Sequence, residues 1–144
     1  MAQAHVEIAK RGYAALNEAY EQDSVDPLEP MLDEFWAPDG VLVTSGRLFP
    51  EAGEWPGKEG MLRFARQQMD AFERMWAEPD DYIETDDGVL VRLRLGGVAR
   101  HTGITMEFEI FHVLTFRDNK LTRLEAHVDE ADARRAAGLP GRTD

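Results

Sequence analysis

The chain has 144 residues, a length that suits one domain with a substantial core and is too short for two. Its formal net charge of -12, from 28 acidic and 16 basic side chains, disfavours nucleic acid and anionic membranes as partners because both would be repelled at long range. Cysteine is absent, which excludes disulfides, thiolate nucleophiles and zinc–cysteine sites.

The first third of the chain carries two helical patterns. Apolar residues recur at three- and four-residue steps over residues 4–21 and predict an amphipathic helix with Tyr13 on its apolar stripe. Asp26, Pro27 and Glu29 supply an N-cap, a proline at the first helical position and a capping-box acid. A second helix is therefore predicted to begin there and to end at residues 38–40.

The middle of the chain combines a short strand, an irregular loop and a third helix. A strand is predicted at 41–44, followed by a loop rich in glycine and proline at 45–57. Trp55 lies in this loop, which could act as a lid over a pocket. Residues 58–75 predict a helix whose stripe is almost wholly large and apolar and includes Gln68.

From residue 82 onward the apolar pattern has a period of two, which is typical of strands. Strands are predicted at 82–85, 89–95, 105–116 and 121–128. Asp129 is expected to cap a short last helix that Gly138 ends, with a frayed tail at 140–144. The turns between the later strands are too short for crossover helices, so residues 1–144 are predicted to form one α+β domain with helices on an antiparallel sheet.

The last hairpin indicates which sheet face is buried. Asn119 is predicted to adopt the left-handed conformation that closes a three-residue loop, which places His112 opposite Leu124. A two-residue turn would pair His112 with Glu125 and would put Arg123 and Glu125 on the apolar face, so we reject it. The buried face is then predicted to carry Phe108, Ile110, His112, Leu114, Phe116, Leu124, Ala126 and Val128.

With these elements in place, the chain resembles the SnoaL-like branch of the nuclear-transport-factor-like superfamily over residues 6–139. The closing segment carries the likeness; it reads His-Val-Leu-Thr-Phe-Arg-Asp-Asn-Lys-Leu through Val-Asp-Glu-Ala-Asp-Ala-Arg-Arg-Ala-Ala-Gly-Leu. The resemblance implies a cone-shaped, cystatin-like roll in which three helices of the N-terminal half pack on a curved antiparallel sheet and enclose an apolar pocket. Because this superfamily includes polyketide cyclases, ketosteroid isomerases, epoxide hydrolases, dehydratases and non-catalytic binders, function has to come from the pocket residues.

Compared with ketosteroid isomerase, Tyr13 matches the oxyanion-hole tyrosine and His112 falls where that enzyme has a protonated aspartate. Thr44 stands where the enzyme has its aspartate base, and a threonine cannot move a proton between carbons at neutral pH. Steroid isomerisation is therefore disfavoured. The Asp-Arg-Asp set of the fold's epoxide hydrolases is also missing, since the corresponding strand reads Arg92-Leu93-Arg94.

Two readings of His112 stay open: a core histidine with its hydrogen bonds satisfied, or the polar anchor of a ligand site. The first functional hypothesis is a cyclase- or isomerase-type enzyme acting on a hydrophobic carbonyl compound, with His112 as proton donor or acceptor and Tyr13 as hydrogen-bond donor. The alternative is a non-catalytic binder of a lipophilic metabolite or an assembly module. The predicted pocket walls are Trp36, Trp55, Phe108, Ile110, Leu114, Leu124 and Val128.

Further expectations concern location, partners and cofactors. No signal-peptide segment or run of about 20 apolar residues occurs, so we expect a cytoplasmic protein. The histidines show no pair at ligand spacing, and neither a metal nor a cofactor is expected. A homodimer is expected because an apolar patch should remain on the outer sheet face, and the superfamily resemblance implies the same. That patch comprises Phe111, Val113, Thr115 and Leu121.

Overall fold

The computed structural model describes residues 2–44 and 53–140, with side chains from residue 4 onward. Within these residues the helices are α1 (Ala2–Gln22), α2 (Leu28–Phe35), α3 (Gly57–Ala71) and α4 (Glu130–Ala136). The strands are β1 (Trp36–Thr44), β2 (Gly53–Pro56), β3 (Phe72–Glu84), β4 (Gly88–Ala99), β5 (Thr105–Arg117) and β6 (Lys120–His127). None of the described helices is long and apolar enough to span a membrane. The loop predicted at 45–57 and the tail at 140–144 fall largely on residues 45–52 and 141–144, which lie outside the described part.

The strands form one curved, open sheet in the order β2-β1-β6-β5-β4-β3. The predicted α+β class, with helices packed on a curved sheet, is confirmed. The prediction of a wholly antiparallel sheet is wrong at one place, because β1 runs parallel to β6 while the other neighbouring strands are antiparallel. β1 and β6 lie far apart in sequence, so no local turn fixes their relative direction.

The second helix is shorter than predicted at both ends. Pro27 rather than Asp26 occupies the N-cap position, and no side chain caps the helix there. The helix ends at Phe35, and the chain passes directly into β1 at Trp36. β1 thus begins five residues before the predicted strand and brings Trp36 into the sheet.

The third helix also ends earlier than its apolar spacing predicts. α3 ends at Ala71, and residues 72–75, predicted as helix, begin β3. Arg100 holds this end, because its guanidinium donates to the carbonyl oxygens of Met69 (2.7 Å) and Phe72 (3.0 Å). A cation that satisfies terminal carbonyls favours a helix end at that point.

Two glycines of β4 make room for Phe72 and Trp76, aromatic residues that continue the helical spacing of α3 but lie in β3. Trp76 pairs with Gly96, where an added Cβ would lie 2.3 Å from the indole. Phe72 lies across Gly97, where an added Cβ would be 2.8 Å from the ring. The extended conformation of 72–76 therefore depends on a strand that comes about twenty residues later, which helical spacing cannot reveal.

The last hairpin has a two-residue turn, Asp118 and Asn119, with Arg117 paired to Lys120. The predicted three-residue loop is therefore wrong, as is the rejection of a two-residue turn. Asp118 has the positive φ, at 58°, so the prediction for Asn119 is wrong. Aspartate, like asparagine, tolerates the left-handed region because its short polar side chain hydrogen-bonds locally.

A bulge in β6 corrects the side-chain alternation that a two-residue turn alone would reverse. The pairing steps from Phe116 with Leu121 to Thr115 with Arg123, which leaves Thr122 as an extra residue. Beyond the bulge His112 stands opposite Ala126. The predicted neighbour, Leu124, is thus wrong by two residues, but a shift of two keeps the same sheet face.

Part of the outer face of the sheet is covered by α4. Asp129 caps this helix as predicted, accepting hydrogen bonds from the backbone N–H groups of Ala131 (2.8 Å) and Asp132 (3.3 Å), and Gly138 follows it with φ 75°. Ala133 and Ala137 pack against Leu90, Phe111 and Val113 on that face.

The apolar patch from which a homodimer was predicted is therefore not exposed. Phe111 and Val113 are buried under α4 of the same chain, and Leu121 lies on the inner face instead. The homodimer stays a prediction, but the exposed apolar patch no longer supports it. Sedimentation at micromolar concentration checks it, and a species of 16.3 kDa would contradict it.

Candidate functional site

A cavity of about 170 Å³ lies between the helices and the inner face of the sheet. Its walls come from α1, α2, α3 and from inward-facing residues of β1, β3, β4, β5 and β6. The described residues that line it include no aspartate, glutamate, lysine or arginine, and their polar side chains belong to tyrosine, tryptophan, threonine, glutamine and histidine. The cavity is thus mainly apolar, with a few uncharged hydrogen-bonding groups.

The structure brings five of the nine predicted site residues to this cavity: Tyr13, Trp36, His112, Leu114 and Leu124. It places the other four elsewhere. Ile110 is fully buried in the core beside the cavity, and Val128 packs against that core. Phe108 is 43% exposed, because it lies near the start of β5 and beyond the helices.

Trp55 is a structural residue of β2 and does not line the cavity. Its indole N–H donates to the Thr44 hydroxyl (3.3 Å), and its ring packs edge-on against Phe64 at 5.3 Å. It is buried rather than placed in a movable loop, so the lid prediction for Trp55 is wrong. Thr44, the residue at the position of the isomerase base, lines the cavity and is itself 6% exposed.

Tyr13 and His112 form a hydrogen-bonded pair across the cavity wall. The Tyr13 hydroxyl lies 2.7 Å from His112 Nδ1, and the two rings stack with centroids 5.8 Å apart. Tyr13 comes from α1 and His112 from the middle of β5, 99 residues later. The predicted orientation of His112 toward the helices is confirmed.

A second contact between α1 and the sheet sets the position of Tyr13. One helical turn beyond Tyr13, the Asn17 amide donates to the carbonyl oxygen of Ala77 and accepts from its backbone N–H, both at 2.8 Å. These bonds fix the height of α1 on β3, and Ala77 itself lines the cavity. Sequence reasoning missed Asn17, because nothing local distinguishes it from a solvated helix asparagine.

Burial keeps both members of the pair uncharged at neutral pH. Desolvation, with a smaller contribution from the nearby His127, lowers the pKa of His112 from 6.5 to about 4. Desolvation, together with Tyr82, raises the pKa of Tyr13 well above its ordinary value. No carboxylate lines the described cavity wall to stabilise an imidazolium.

Two arrangements of protons satisfy the bond between these rings. In the first, the Tyr13 hydroxyl donates to Nδ1 and Nε2 carries the imidazole proton. In the second, Nδ1–H donates to the tyrosine oxygen, and the hydroxyl proton is free. Nε2 has no hydrogen-bond partner within residues 2–44 and 53–140. Either way the pair retains one N–H or O–H group that can donate to a ligand.

Gln68 and Tyr20 are cavity residues that were not recognised as site candidates. Both occupy apolar-stripe positions of their helices, and this mismatch between residue type and position was the available signal. Their side chains make no hydrogen bond to the described residues.

Comparison with known proteins agrees with this architecture. No curated protein sequence matches the chain significantly. Among solved structures, TerC co-crystallized with polyporic acid is 21% identical, with 94% of this chain and 98% of that chain covered and a TM-score of 0.72. A protein from Jannaschia, provisionally assigned as a SnoaL-like polyketide cyclase, is 16% identical, with 96% and 94% covered and a TM-score of 0.71.

A third structure, from Catenulispora acidiphila, has a ketosteroid isomerase-like fold and was determined in complex with trimethylamine. It is 16% identical, with 93% of this chain and 94% of that chain covered and a TM-score of 0.69. At these identities the likeness shows the fold alone. The SnoaL-like domain family matches residues 11–124, which include both Tyr13 and His112. The chain therefore belongs to the SnoaL-like domain family.

Proposed function

We propose that the protein binds a small, uncharged, mainly hydrophobic molecule in this cavity and holds a carbonyl or hydroxyl group of that molecule with Tyr13 and His112. The carrying observation is the 2.7 Å bond between two neutral rings on a mainly apolar wall. A buried donor without a partner is costly, so a ligand acceptor that satisfies it gains affinity.

The cavity suits a ligand of about one ring, and a second ring would fill it tightly. Its volume of about 170 Å³ is somewhat larger than the cavity of roughly 150 Å³ that holds benzene in an engineered protein. Charged ligands are disfavoured, because no charged side chain among the described wall residues would compensate for desolvation. The solved relatives bound to polyporic acid and to trimethylamine support small-molecule binding in this fold.

A second candidate is acid–base chemistry of the cyclase or isomerase type on a carbonyl compound. Its support is the same pair, since a donor near a carbonyl oxygen stabilises negative charge that develops there. The structure offers less support for the step in which a base removes a proton from the ligand. Thr44 cannot act as the base, and a histidine with a pKa of about 4 is a poor base at neutral pH. We therefore propose binding as the primary function and catalysis as the alternative.

The polar contact can be tested with two ligands of the same shape. Acetophenone carries a carbonyl oxygen where α-methylstyrene carries a CH₂ group. In His112→Leu we expect acetophenone to bind about 5- to 100-fold more weakly than in the wild type, the scale of a buried polar group left unpaired. α-Methylstyrene should bind equally well or more tightly. Calorimetric titration of both ligands measures the difference.

Tyr13→Phe is the matched variant, because it removes only the hydroxyl. It should also weaken the binding of acetophenone. Equal losses for both ligands in His112→Leu would contradict the proposed contact and leave His112 as a core residue. The catalytic alternative has its own readout. Exchange of the acetophenone methyl protons in D₂O should be faster with wild type than with His112→Leu if the pair promotes enolisation, and equal rates would contradict catalysis.

A further inference from the structure

Gln68 is a buried polar side chain whose hydrogen-bonding capacity is unused. It lies in the last turn of α3, lines the cavity and exposes only 7% of its surface. Its amide has no hydrogen-bond partner among residues 2–44 and 53–140. An amide carries two donor hydrogens and a carbonyl acceptor, which are available to a ligand group in the cavity.

Tyr20 offers a second such group. It lines the cavity from the last part of α1, and its hydroxyl likewise has no partner among the described residues. It packs against the apolar cluster that contains Ala65 and Met69, the residues on either side of Gln68 along α3. Burial raises the pKa of Tyr20, so the hydroxyl is protonated at neutral pH and can donate.

Tyr20 lies away from the Tyr13–His112 pair. Tyr13 belongs to a different apolar cluster, which contains Ile110 and Leu114, the inward-facing neighbours of His112 on β5. Seven residues separate Tyr13 from Tyr20 on one stripe of α1, which corresponds to about 10 Å along the helix axis. Tyr20 therefore lies about two helical turns from Tyr13 along the cavity. The described wall also carries the Thr44 hydroxyl and the indole N–H of Trp36, a buried donor with no hydrogen-bond partner among the described residues.

We propose that Gln68 forms a second polar subsite, so that the ligand is an elongated, uncharged molecule with a polar group toward each end. The inference rests on the proposed binding function and narrows its ligand class. A group that both donates and accepts, such as a hydroxyl, satisfies an amide better than an acceptor alone. A carboxylate is excluded at this subsite because no cationic side chain lines the described wall.

The test compares three fused-ring ketones: 2-acetylnaphthalene, its 6-hydroxy derivative and its 6-methyl derivative. The acetyl group is the partner for Tyr13 and His112, and the substituent at position 6 reaches the opposite end. In wild-type protein we expect the hydroxy compound to bind about 3- to 10-fold more tightly than the methyl compound. Without a polar partner the order would reverse, since the hydroxyl would lose its water and the methyl would not.

The variant Gln68→Met keeps the length of the side chain and removes the amide. We expect it to abolish the preference for the hydroxy compound, while 2-acetylnaphthalene should bind equally well or more tightly. Gln67→Met is the matched control: it makes the same change one residue away, at a side chain that does not line the cavity, and should leave the preference intact. Tyr20→Phe gives a second variant if Gln68→Met unfolds, and it should reduce the preference.

The outcomes separate this inference from the proposed function. If 2-acetylnaphthalene binds and is weakened by His112→Leu, but the hydroxy compound binds no more tightly than the methyl compound, the second subsite is overturned alone. If the preference survives in Gln68→Met, the subsite is not at Gln68. If none of the three ketones binds and acetophenone also fails, the proposed function is overturned.

Discussion

Acidification is expected to destabilise wild-type protein by about 3 kcal/mol more than the His112→Leu variant between about pH 7.5 and pH 4. In the folded protein the pKa of His112 is lowered from 6.5 to about 4, because burial disfavours the imidazolium. The unfolded chain therefore binds a proton that the folded chain does not. The stability that depends on neutral His112 is complete above pH 6.5 and is lost as the pH falls toward 4.

The measurement is urea unfolding of both proteins across this range, with the difference between the two curves as the result. Other groups titrate in the same range, and the comparison removes those that the two proteins share. The difference should begin to change below about pH 6.5 and level off below about pH 4. Parallel curves would contradict a desolvated histidine, as would an NMR titration in which His112 gains its proton near pH 6.5.

Leu93→Ala is expected to destabilise the protein by about 2 to 5 kcal/mol and to enlarge the cavity at the same time. Leu93 is fully buried and lines the cavity wall from β4. Truncation removes buried apolar surface beside an existing space, where the surrounding side chains cannot easily collapse. Affinity for 2-acetylnaphthalene should therefore rise relative to acetophenone, because the added ring fills the new volume.

Leu90→Ala is the matched control for this prediction. Leu90 is 2% exposed and lies on the same strand, but it faces α4 on the outer side of the sheet. Both variants should lose comparable stability by denaturant unfolding, and only Leu93→Ala should change the preference between ligands. A similar change in Leu90→Ala would mean that the effect arises from general loosening of the domain rather than from the cavity wall.

The site was predictable to the extent that strand alternation and helical spacing fix which face a side chain occupies. Tyr13 lies on the α1 stripe and His112 on the inner side of β5, as the apolar neighbours of each had indicated. Phe108 shares the face of His112 but lies near the start of the strand, beyond the helices. Alternation predicts which sheet face a side chain occupies, but it does not predict which part of the strand the helices cover.

Local sequence patterns were sufficient for the α+β class, α1, the positions of β4, β5 and β6, and α4 with its Asp129 cap and its end at Gly138. Each of these depends on residues that lie within a few positions of one another, so periodicity, capping and turn chemistry are sufficient to define them.

Packing between distant segments set the parallel pairing of β1 with β6, the burial of Leu90, Phe111 and Val113 under α4, the bond between Tyr13 and His112, and the position of Gln68 in the cavity wall. These features join segments that are distant in the chain. Which backbone groups pair, and which buried groups lack a partner, is set by packing among those segments, and a local pattern carries no information about it.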